Sequence, residues 1–385
     1  MKRKRKINHI LITGGAGFIG SHLAINLLKK DFSVTVLDNL SPQIHGENPE
    51  KDSPLYHKIK DKVNFIKGDV TQKKDWIKAL KNIDCIIHLA AETGTGQSMY
   101  AVEKYSFINS QGTAILADLL VNHSHQVKKI ILGSTRAVYG EGSYLNKENQ
   151  IIFPNSRDPQ LMKKGIFDIL NQENQLLTPT PTKESALIKP TSVYAITKYY
   201  QEQIIATVCR TSKIDYTILR FQNVYGAGQS LKNPYTGILS IFSTQILSKN
   251  KINIFEDGKP VRDFIEVHDV AEAISRCIIA ETTNGEIINI GTGNPTTVLK
   301  VVKTLEKAFQ TQADWKITGD FRMGDIRYNV ADISKMKTHL DFKPRISFEE
   351  GIEKLVKWAI KQENTTNDYQ KSLKIMKEKG LFLKA

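Results

Sequence analysis

The sequence predicts an α/β protein: a doubly wound parallel sheet followed by a smaller mixed α/β domain. Three observations predict it. Short, β-branched apolar runs alternate with helix-like stretches through the first two thirds of the chain, a glycine-rich turn follows the first run, and beyond about residue 280 the pattern shortens into smaller strand and helix pieces.

The strand candidates, in order, are "INHILIT" (7–13), "SVTVLD" (33–38), "VNFIKGD" (63–69), "DCIIHLA" (84–90), "KKIILGS" (128–134) and "DYTILRF" (215–221). Amphipathic stretches such as "FIGSHLAINLLKK" and "GTAILADLLVNH" lie between them and predict covering helices. Residues 143–190 break this alternation. They are polar, hold five prolines and offer one short helix, so they are expected as an insertion over the carboxyl edge of the sheet, a lid on whatever binds there. The pieces "GEIINIG", "TTVLKVVKTLEKAF" and "FEEGIEKLVKWAIKQ" are assigned to the smaller domain, and the Lys-rich residues 363–385 to a loosely held helix.

Composition excludes several classes. The 385 residues are 40% hydrophobic and 24% charged, and no apolar run reaches membrane-spanning length. Cys85, Cys209 and Cys277 stand far apart in apolar segments, which argues against a disulfide framework or a metal cluster and for a reduced, cytoplasmic setting. The formal charge is +14, with five basic residues among the first six, but "MKRKRKINHI" lacks the apolar stretch of a signal peptide and reads as a solvated tail. Lysines elsewhere are spread along helical faces rather than grouped with aromatics. Phosphorylated small ligands explain such a surface better than nucleic acid does.

The first motif with chemistry is "TGGAGFIG", where Gly14, Gly17 and Gly20 recur at every third position between strand and helix. A diphosphate must approach main-chain N–H groups at a helix N-terminus, where a Cβ would obstruct it. Asp38 ends the second strand where a ribose-binding acid belongs, and no arginine follows in "DNLSPQIHG" to accept a 2′-phosphate. The cofactor expected is NAD rather than NADP, on a Rossmann domain spanning 1–222. Helices within 238–280 are expected to pack back on that domain, and 223–385 to form mainly the substrate domain. Asp38 as a simple turn-former before Asn39 is the competing structural reading.

The second motif is "SVYAITKYYQEQ", with Tyr194 and Lys198 four apart on one helix face. An ammonium near a phenol favours phenolate and draws its pKa toward neutrality, which makes tyrosine a usable base. Tyr-x-x-x-Lys alone is common by chance. Histidines do not converge: His88 sits in an apolar strand as a hydrogen-bonded core residue, and the "HSH" at 123–125 reads as a polar helix end.

Taken together, "TGGAGFIG", the "HLAA" of 88–91, the hydroxyls of "GST" and "YAITK" resemble the extended short-chain dehydrogenase/reductases, the group of nucleotide-sugar epimerases and dehydratases, over residues 7 to about 360. The resemblance implies a catalytic set of Thr135, Tyr194 and Lys198, with Ser134 as the alternative hydroxyl. It implies an NAD site of Gly14, Gly17, Phe18, Ile19, Gly20, Asp38, Asn39, Asp69, Val70, Leu89, Ala90, Ala91, Asn109, Tyr194, Lys198 and Phe221. "LRFQNVYGAGQ", "VRDFIEVHDVAEA" and "FRMGDIRYNVADISK" imply substrate-diphosphate contacts from Asn223, Arg262 and Arg322, with Arg327 as a third arginine. Asp263, Asp269 and Asp332 are expected as caps or loop organisers.

Relatives that dehydrate the sugar carry Asp-Glu directly after the hydroxyl; here those positions are Arg136 and Ala137. The acid–base pair for elimination is absent, so oxidation and re-reduction at one carbon is the expected chemistry, with Arg136 on the substrate. "AAETGTGQSMY", "NVYGAGQSLKNPYTGILSIFSTQIL" and "PTSVYAITK" resemble the dTDP-L-rhamnose 4-epimerase branch, which implies a sugar pocket lined by Thr93, Thr95, Gln97 and Ser98. The resemblance departs in the insertion, which lacks the cysteine pairs of that branch. The expected substrate is a nucleotide-diphosphate sugar, in a cytoplasmic homodimer serving polysaccharide synthesis. A UDP-hexose or UDP-N-acetylhexosamine 4-epimerase, a reductase of a 4-keto-6-deoxy sugar, and a non-catalytic nucleotide-binding protein remain as alternatives.

Overall fold

The computed structural model describes residues 7–235, 237–362 and 369–385. Seven parallel strands form the central sheet: β1 (His9–Thr13), β2 (Ser33–Asp38), β3 (Asn64–Lys67), β4 (Cys85–His88), β5 (Lys129–Thr135), β6 (Asp215–Phe221) and β7 (Glu286–Ile290). Their order is β7-β6-β5-β4-β1-β2-β3. The order reverses between β1 and β4, and a crevice opens at the carboxyl ends of the strands at such a switch point.

Alternation along each strand explains why the sheet is buried on both faces. Ile10, Ile12, Cys85, Ile87, Ile131, Leu219 and Phe221 enter one apolar cluster, while their neighbours Leu11, Ile86, Ile130, Leu132 and Ile218 enter the other. Helix α1 (Phe18–Leu28) covers the first face; α2 (Gly112–Asn122) and α3 (Val193–Ser212) cover the second. Cys85, Cys209 and Cys277 are buried free thiols in these clusters.

The seventh strand corrects the expected domain division. "GEIINIG" was assigned to the smaller domain, yet Ile287 pairs with Ile218 and Ile290 with Phe221, which extends the central sheet. Its alternating Ile288 and Ile290 bury in the first cluster, and a strand with that pattern is stabilised by whichever open sheet edge it reaches. Of the helices in 238–280, α4 (Val267–Ile279) packs against α1, whereas Ile238–Leu247 joins a third cluster with Val298–Phe309 and Phe348–Ala359. Helix α5 (Tyr369–Glu378) also belongs to that third cluster through Tyr369, Leu373 and Met376. It is therefore a packed element rather than a loosely held one. Residues 1–6 and 363–368 lie outside the described residues.

The insertion forms a three-stranded antiparallel sheet of Ser143–Leu145, Ile151–Ile152 and Thr178–Thr180, plus the short helix Pro159–Lys163. Arg157 ties it to the smaller lobe by a bidentate pair to Glu256 at 2.7 and 2.8 Å, and its Nε stands 3.2 Å from Glu141 at the insertion's own base. Among the described residues no helix is long and apolar enough to cross a membrane.

Candidate active site

A cavity of about 580 Å³ runs along the carboxyl ends of the strands and on between the two lobes. Its floor starts at the glycine turn. Helix α1 begins at Gly17 with no side-chain cap and no acidic residue in its first turn, so its leading N–H groups face the cavity without a side-chain acceptor. Close backbone-on-backbone packing fixes the shape of that turn. A Cβ at Gly14 would lie 2.8 Å from the Ala90 nitrogen, and one at Gly20 would lie 2.6 Å from the Gly15 Cα and still closer to the Gly14 carbonyl oxygen. These crowding atoms are main chain and cannot rotate away. Gly20→Ala is therefore expected to lower the amount of NAD that copurifies by about tenfold or more, near 1.4 kcal/mol of lost affinity. Chromatographic quantification of nucleotide released on denaturation checks it.

Asp38 lies beside this turn, 8% exposed. Its Oδ2 accepts from Ala16 N at 2.9 Å and its Oδ1 from Leu40 N at 2.8 Å, so it organises both the glycine turn and its own turn. A carboxylate has about four acceptor positions, and the remainder suit ribose hydroxyls. Burial raises its pKa, opposed by these N–H groups and by His45, whose Nε2 stands 3.9 Å away. The turn-forming and ribose-binding readings of Asp38 are compatible in one side chain.

The reactive groups sit at the end of β5 and the start of α3. Ser192 caps α3 by accepting from Ala195 N at 3.2 Å, which starts the helix so that Tyr194 and Lys198 fall one turn apart on its sheet-facing side. Thr135 Oγ1 accepts from Ala137 N at 3.2 Å and shares the cavity wall with the Tyr194 phenol, whose pKa it lowers. Ser134 is spent elsewhere, donating to the buried Glu202 Oε1 at 2.5 Å. The hydroxyl left free beside the tyrosine is that of Thr135.

Charge is arranged differently from the expectation that Lys198 draws the phenol toward neutrality. Burial raises the Tyr194 pKa, and the groups that oppose it are Thr135 and the Arg136 guanidinium. Burial also pushes Lys198 down to about 7, with the Glu202 charge opposing. The sign of the resulting pH effect follows directly: between about 7 and 10.5 the unfolded chain holds a proton on Lys198 that the folded chain does not. That group's contribution to stability therefore rises with pH across the window, by about 1.4 kcal/mol per pH unit at most. Urea unfolding of cofactor-free protein at pH 7 and 9.5 is expected to show a shallower pH dependence for Lys198→Met.

Behind the pair, a buried polar chain joins sheet and helix. Thr13 Oγ1 meets His88 Nδ1 at 2.7 Å, His88 Nε2 meets Thr113 Oγ1 at 3.0 Å, and Gln201 Nε2 donates to Thr113 Oγ1 at 2.6 Å. Burial, then the charge of Lys198, hold His88 down to about 3, so it stays neutral.

Further along the cavity stand Arg136, Arg262 and Arg322. Arg136 donates from Nε to Asn223 Oδ1 at 3.2 Å, and burial together with the neighbouring Arg262 charge pushes it down to about 9. Two desolvated guanidinium groups repelling each other favour a bound anion. Arg322 is held by Asp325 at 3.0 Å.

The cavity wall brings together Gly14, Gly17, Phe18, Ile19, Gly20, Asp38, Asn39, Val70, Leu89, Ala90, Ala91, Thr135, Tyr194, Lys198 and Phe221, and with them Thr93, Thr95, Arg136, Asn223, Arg262 and Arg322. Five expected residues are not on it. Asp69 stands one step back, accepting from Asn39 Nδ2 at 2.9 Å, and Asn109 is fully buried, bonded to both backbone groups of Glu92 and to Thr197. Ser98 is buried with its Oγ on the Thr95 carbonyl at 2.7 Å, and Gln97 pairs with Gln43 at 3.0 Å. Arg327 is neutralised by Asp257 and Asp168 and has no place on the wall. No residue of 143–190 lines the cavity either, so the insertion is not its lid.

Sequence reasoning missed Asp325, which holds Arg322, Glu256, which pairs with Arg157 and Arg327, and Tyr369 and Met376 of α5. The 0, +4, +7 spacing of Tyr369, Leu373 and Met376 was a readable amphipathic signal in that Lys-rich stretch. Asp263 organises a loop: its carboxylate accepts from Thr292 N and Oγ1 and from Gly293 N at 2.6–2.9 Å. Asp269 accepts from the backbone of Arg345 and Ile346, and Asp332 from Ser334 N. Among the described residues no group of three or more His, Cys, Asp or Glu is placed to hold a metal ion.

Residues 10–164 and 172–291 match the family described as NAD dependent epimerase/dehydratase. The chain is 36% identical to a dTDP-L-rhamnose 4-epimerase of Burkholderia thailandensis, over 93% of this chain and 96% of that one. It is 32% identical to a putative UDP-glucose 4-epimerase of Methanocaldococcus jannaschii, over 93% and 100%. Among solved structures, the UDP-glucose 4-epimerase of Thermotoga maritima with UDP-glucose aligns at a TM-score of 0.73 and 28% identity, covering 92% of this chain and 99% of that one. A UDP-glucuronic acid 4-epimerase of Bacillus cereus, in complex with UDP-glucuronic acid and NAD, aligns at 0.73 and 25%, covering 91% and 99%.

Proposed function

This chain belongs to the NAD dependent epimerase/dehydratase family, and we propose that within it the protein is a 4-epimerase interconverting dTDP-L-rhamnose and dTDP-6-deoxy-L-talose with resident NAD. The observation that carries the reading is that Thr135 and Tyr194 share one cavity wall with Arg136 and Ala137. Elimination of water needs a carboxylate beside the hydroxyl. The carboxylates on the wall are engaged: Glu92 with Lys104, Glu256 with Arg157, Asp325 with Arg322, and Asp38 with backbone N–H groups.

Gly14, Gly17 and Gly20 admit the cofactor diphosphate to the α1 N-terminus and Asp38 takes its ribose. Bound NAD supplies a hydride acceptor, and later donor, at the sugar C4. Tyr194 takes the proton of the C4 hydroxyl, and the Thr135 hydroxyl holds the phenol oxygen and the substrate oxygen together. Lys198, on the same wall, orients the ribose. Arg262 and Arg322 hold the substrate diphosphate while the 4-keto sugar turns, so remote binding energy permits motion at the reacting carbon. Tyr194 then returns the proton on the opposite course.

The test is to incubate purified protein, without added cofactor, with dTDP-L-rhamnose and separately with UDP-glucose, UDP-galactose and their N-acetyl forms, following sugar proton couplings by NMR. A change at C4 of dTDP-L-rhamnose alone is expected. Turnover of a UDP sugar instead would transfer the reading to a UDP-hexose epimerase. Silence throughout, with NAD supplied, would sink it and favour a 4-keto reductase.

The same reading carries a cytoplasmic homodimer serving polysaccharide synthesis. Phe107, Val121, Ile196 and Tyr200 are exposed apolar side chains on α2, α3 and the turn before α2, helices that pack side by side. Ile196→Glu is expected to halve the mass seen by light scattering.

A further inference from the structure

Residues 369–385 are built into the wall of the substrate half of the cavity. Tyr369 and Met376 line it from α5, and the Met376 sulfur abuts the Thr95–Gly96 turn, 3.3 Å from where a Gly96 Cβ would be. Past α5 the chain forms the strand Phe382–Leu383, antiparallel to Phe321–Arg322, with Phe382 opposite Arg322. Met323 N donates to the Leu381 carbonyl at 3.0 Å, which extends the pairing. The Phe382 ring packs edge-on to Phe255 at 5.0 Å, and the Arg322 guanidinium stands over that same Phe255 at 5.3 Å. Lys379 stands over the Tyr100 ring at 5.8 Å, and the Tyr100 hydroxyl bonds that of Tyr235, itself on the cavity wall.

We propose that residues 369–385 are a substrate-positioning segment: the Phe382 strand fixes the direction of Arg322, and Met376 closes the sugar side against the Thr95–Gly96 turn. The inference rests on the reading of Arg322 as a diphosphate partner given above. Two features make it specific. A two-residue antiparallel pair sets the backbone at Arg322 while Asp325 and Phe255 set its side chain, so loss of the Phe382 ring loosens one of three restraints. The glycine turn and Asp38 belong to α1 and β2, in the other lobe, so NAD retention is a control rather than a readout.

The test uses full-length wild type, Phe382→Ala and Met376→Glu, each scored for NAD content and thermal midpoint. Calorimetric titration with dTDP and with UDP reads the diphosphate; KM and kcat on the turned-over sugar nucleotide read the rest. Phe382→Ala is expected to weaken dTDP and UDP alike by about tenfold, near 1.4 kcal/mol, and to raise KM by a similar factor with kcat changed less. Met376→Glu is expected to raise KM for the sugar nucleotide while dTDP affinity stays within about twofold. If Phe382→Ala does not unfold cooperatively, Phe382→Leu, which keeps apolar bulk but removes the ring, carries the same test. Unaltered dTDP affinity and KM in folded variants overturns the proposal. A wild type that binds dTDP yet turns over none of the sugars defeats the epimerase reading alone, because the Phe382 result still decides this one.

Discussion

Tyr194→Phe is expected to lower kcat by about 10²- to 10⁴-fold, the range for loss of a positioned proton acceptor, while NAD continues to copurify. The phenol oxygen is the proton acceptor of the proposed mechanism, and phenylalanine removes it with little change of volume. The aromatic ring remains to pack edge-on to Tyr105 at 6.4 Å, so the start of α3 keeps its place. KM is expected to change much less than kcat, because a group that takes its proton in the transition state contributes little to ground-state binding. Steady-state kinetics together with nucleotide content check it. A variant within tenfold of wild type would remove Tyr194 from the chemistry and, with it, the proposed mechanism.

The largest structural effect is expected two turns further along the same helix. Arg220 on β6 grips Glu202 on α3 with two hydrogen bonds, Nε to Oε1 at 3.0 Å and the terminal nitrogen to Oε2 at 2.7 Å. Arg220 also stacks on Tyr139 at 4.8 Å and donates to the Glu184 carbonyl, and Glu202 takes the Ser134 hydroxyl. Both side chains are almost fully buried. Arg220→Leu strands an uncompensated carboxylate and is expected to cost about 3–5 kcal/mol of unfolding free energy. Adding Glu202→Leu should restore part of that loss, because it is the unpaired charge and not the missing attraction that dominates. Urea unfolding of the two single variants and the double variant closes the cycle. A loss under about 1 kcal/mol for Arg220→Leu would contradict the account.

How much of this was legible in the sequence depended on how locally each feature is encoded. The six strands expected from apolar runs all lie in the central sheet, because a two-residue period in a β-branched run is a property of the run itself. "GEIINIG" was legible as a strand, but the edge it would join was not, since sheet order is decided by packing around the whole domain. Asp38 and the glycines gather within one strand–helix–strand unit, and the positions of Tyr194 and Lys198 follow from helix geometry alone. Arg327 shows the limit. Its arginine type suited a diphosphate, but its partners Asp168 and Asp257 stand 159 and 70 residues away in the chain, and no spacing rule reaches that far.

By itself, then, the sequence determined the α/β architecture, the glycine-bounded cofactor turn, the tyrosine–lysine pair and the substitution of Arg136 and Ala137 for a carboxylate pair, because each is written in residues a few positions apart. Only the tertiary structure decided which hydroxyl is left free beside Tyr194, which arginines face the cavity, and that α5 rather than the insertion lines it. Those outcomes turn on desolvation and on partners brought together from distant segments, and both come into being only when the chain is packed.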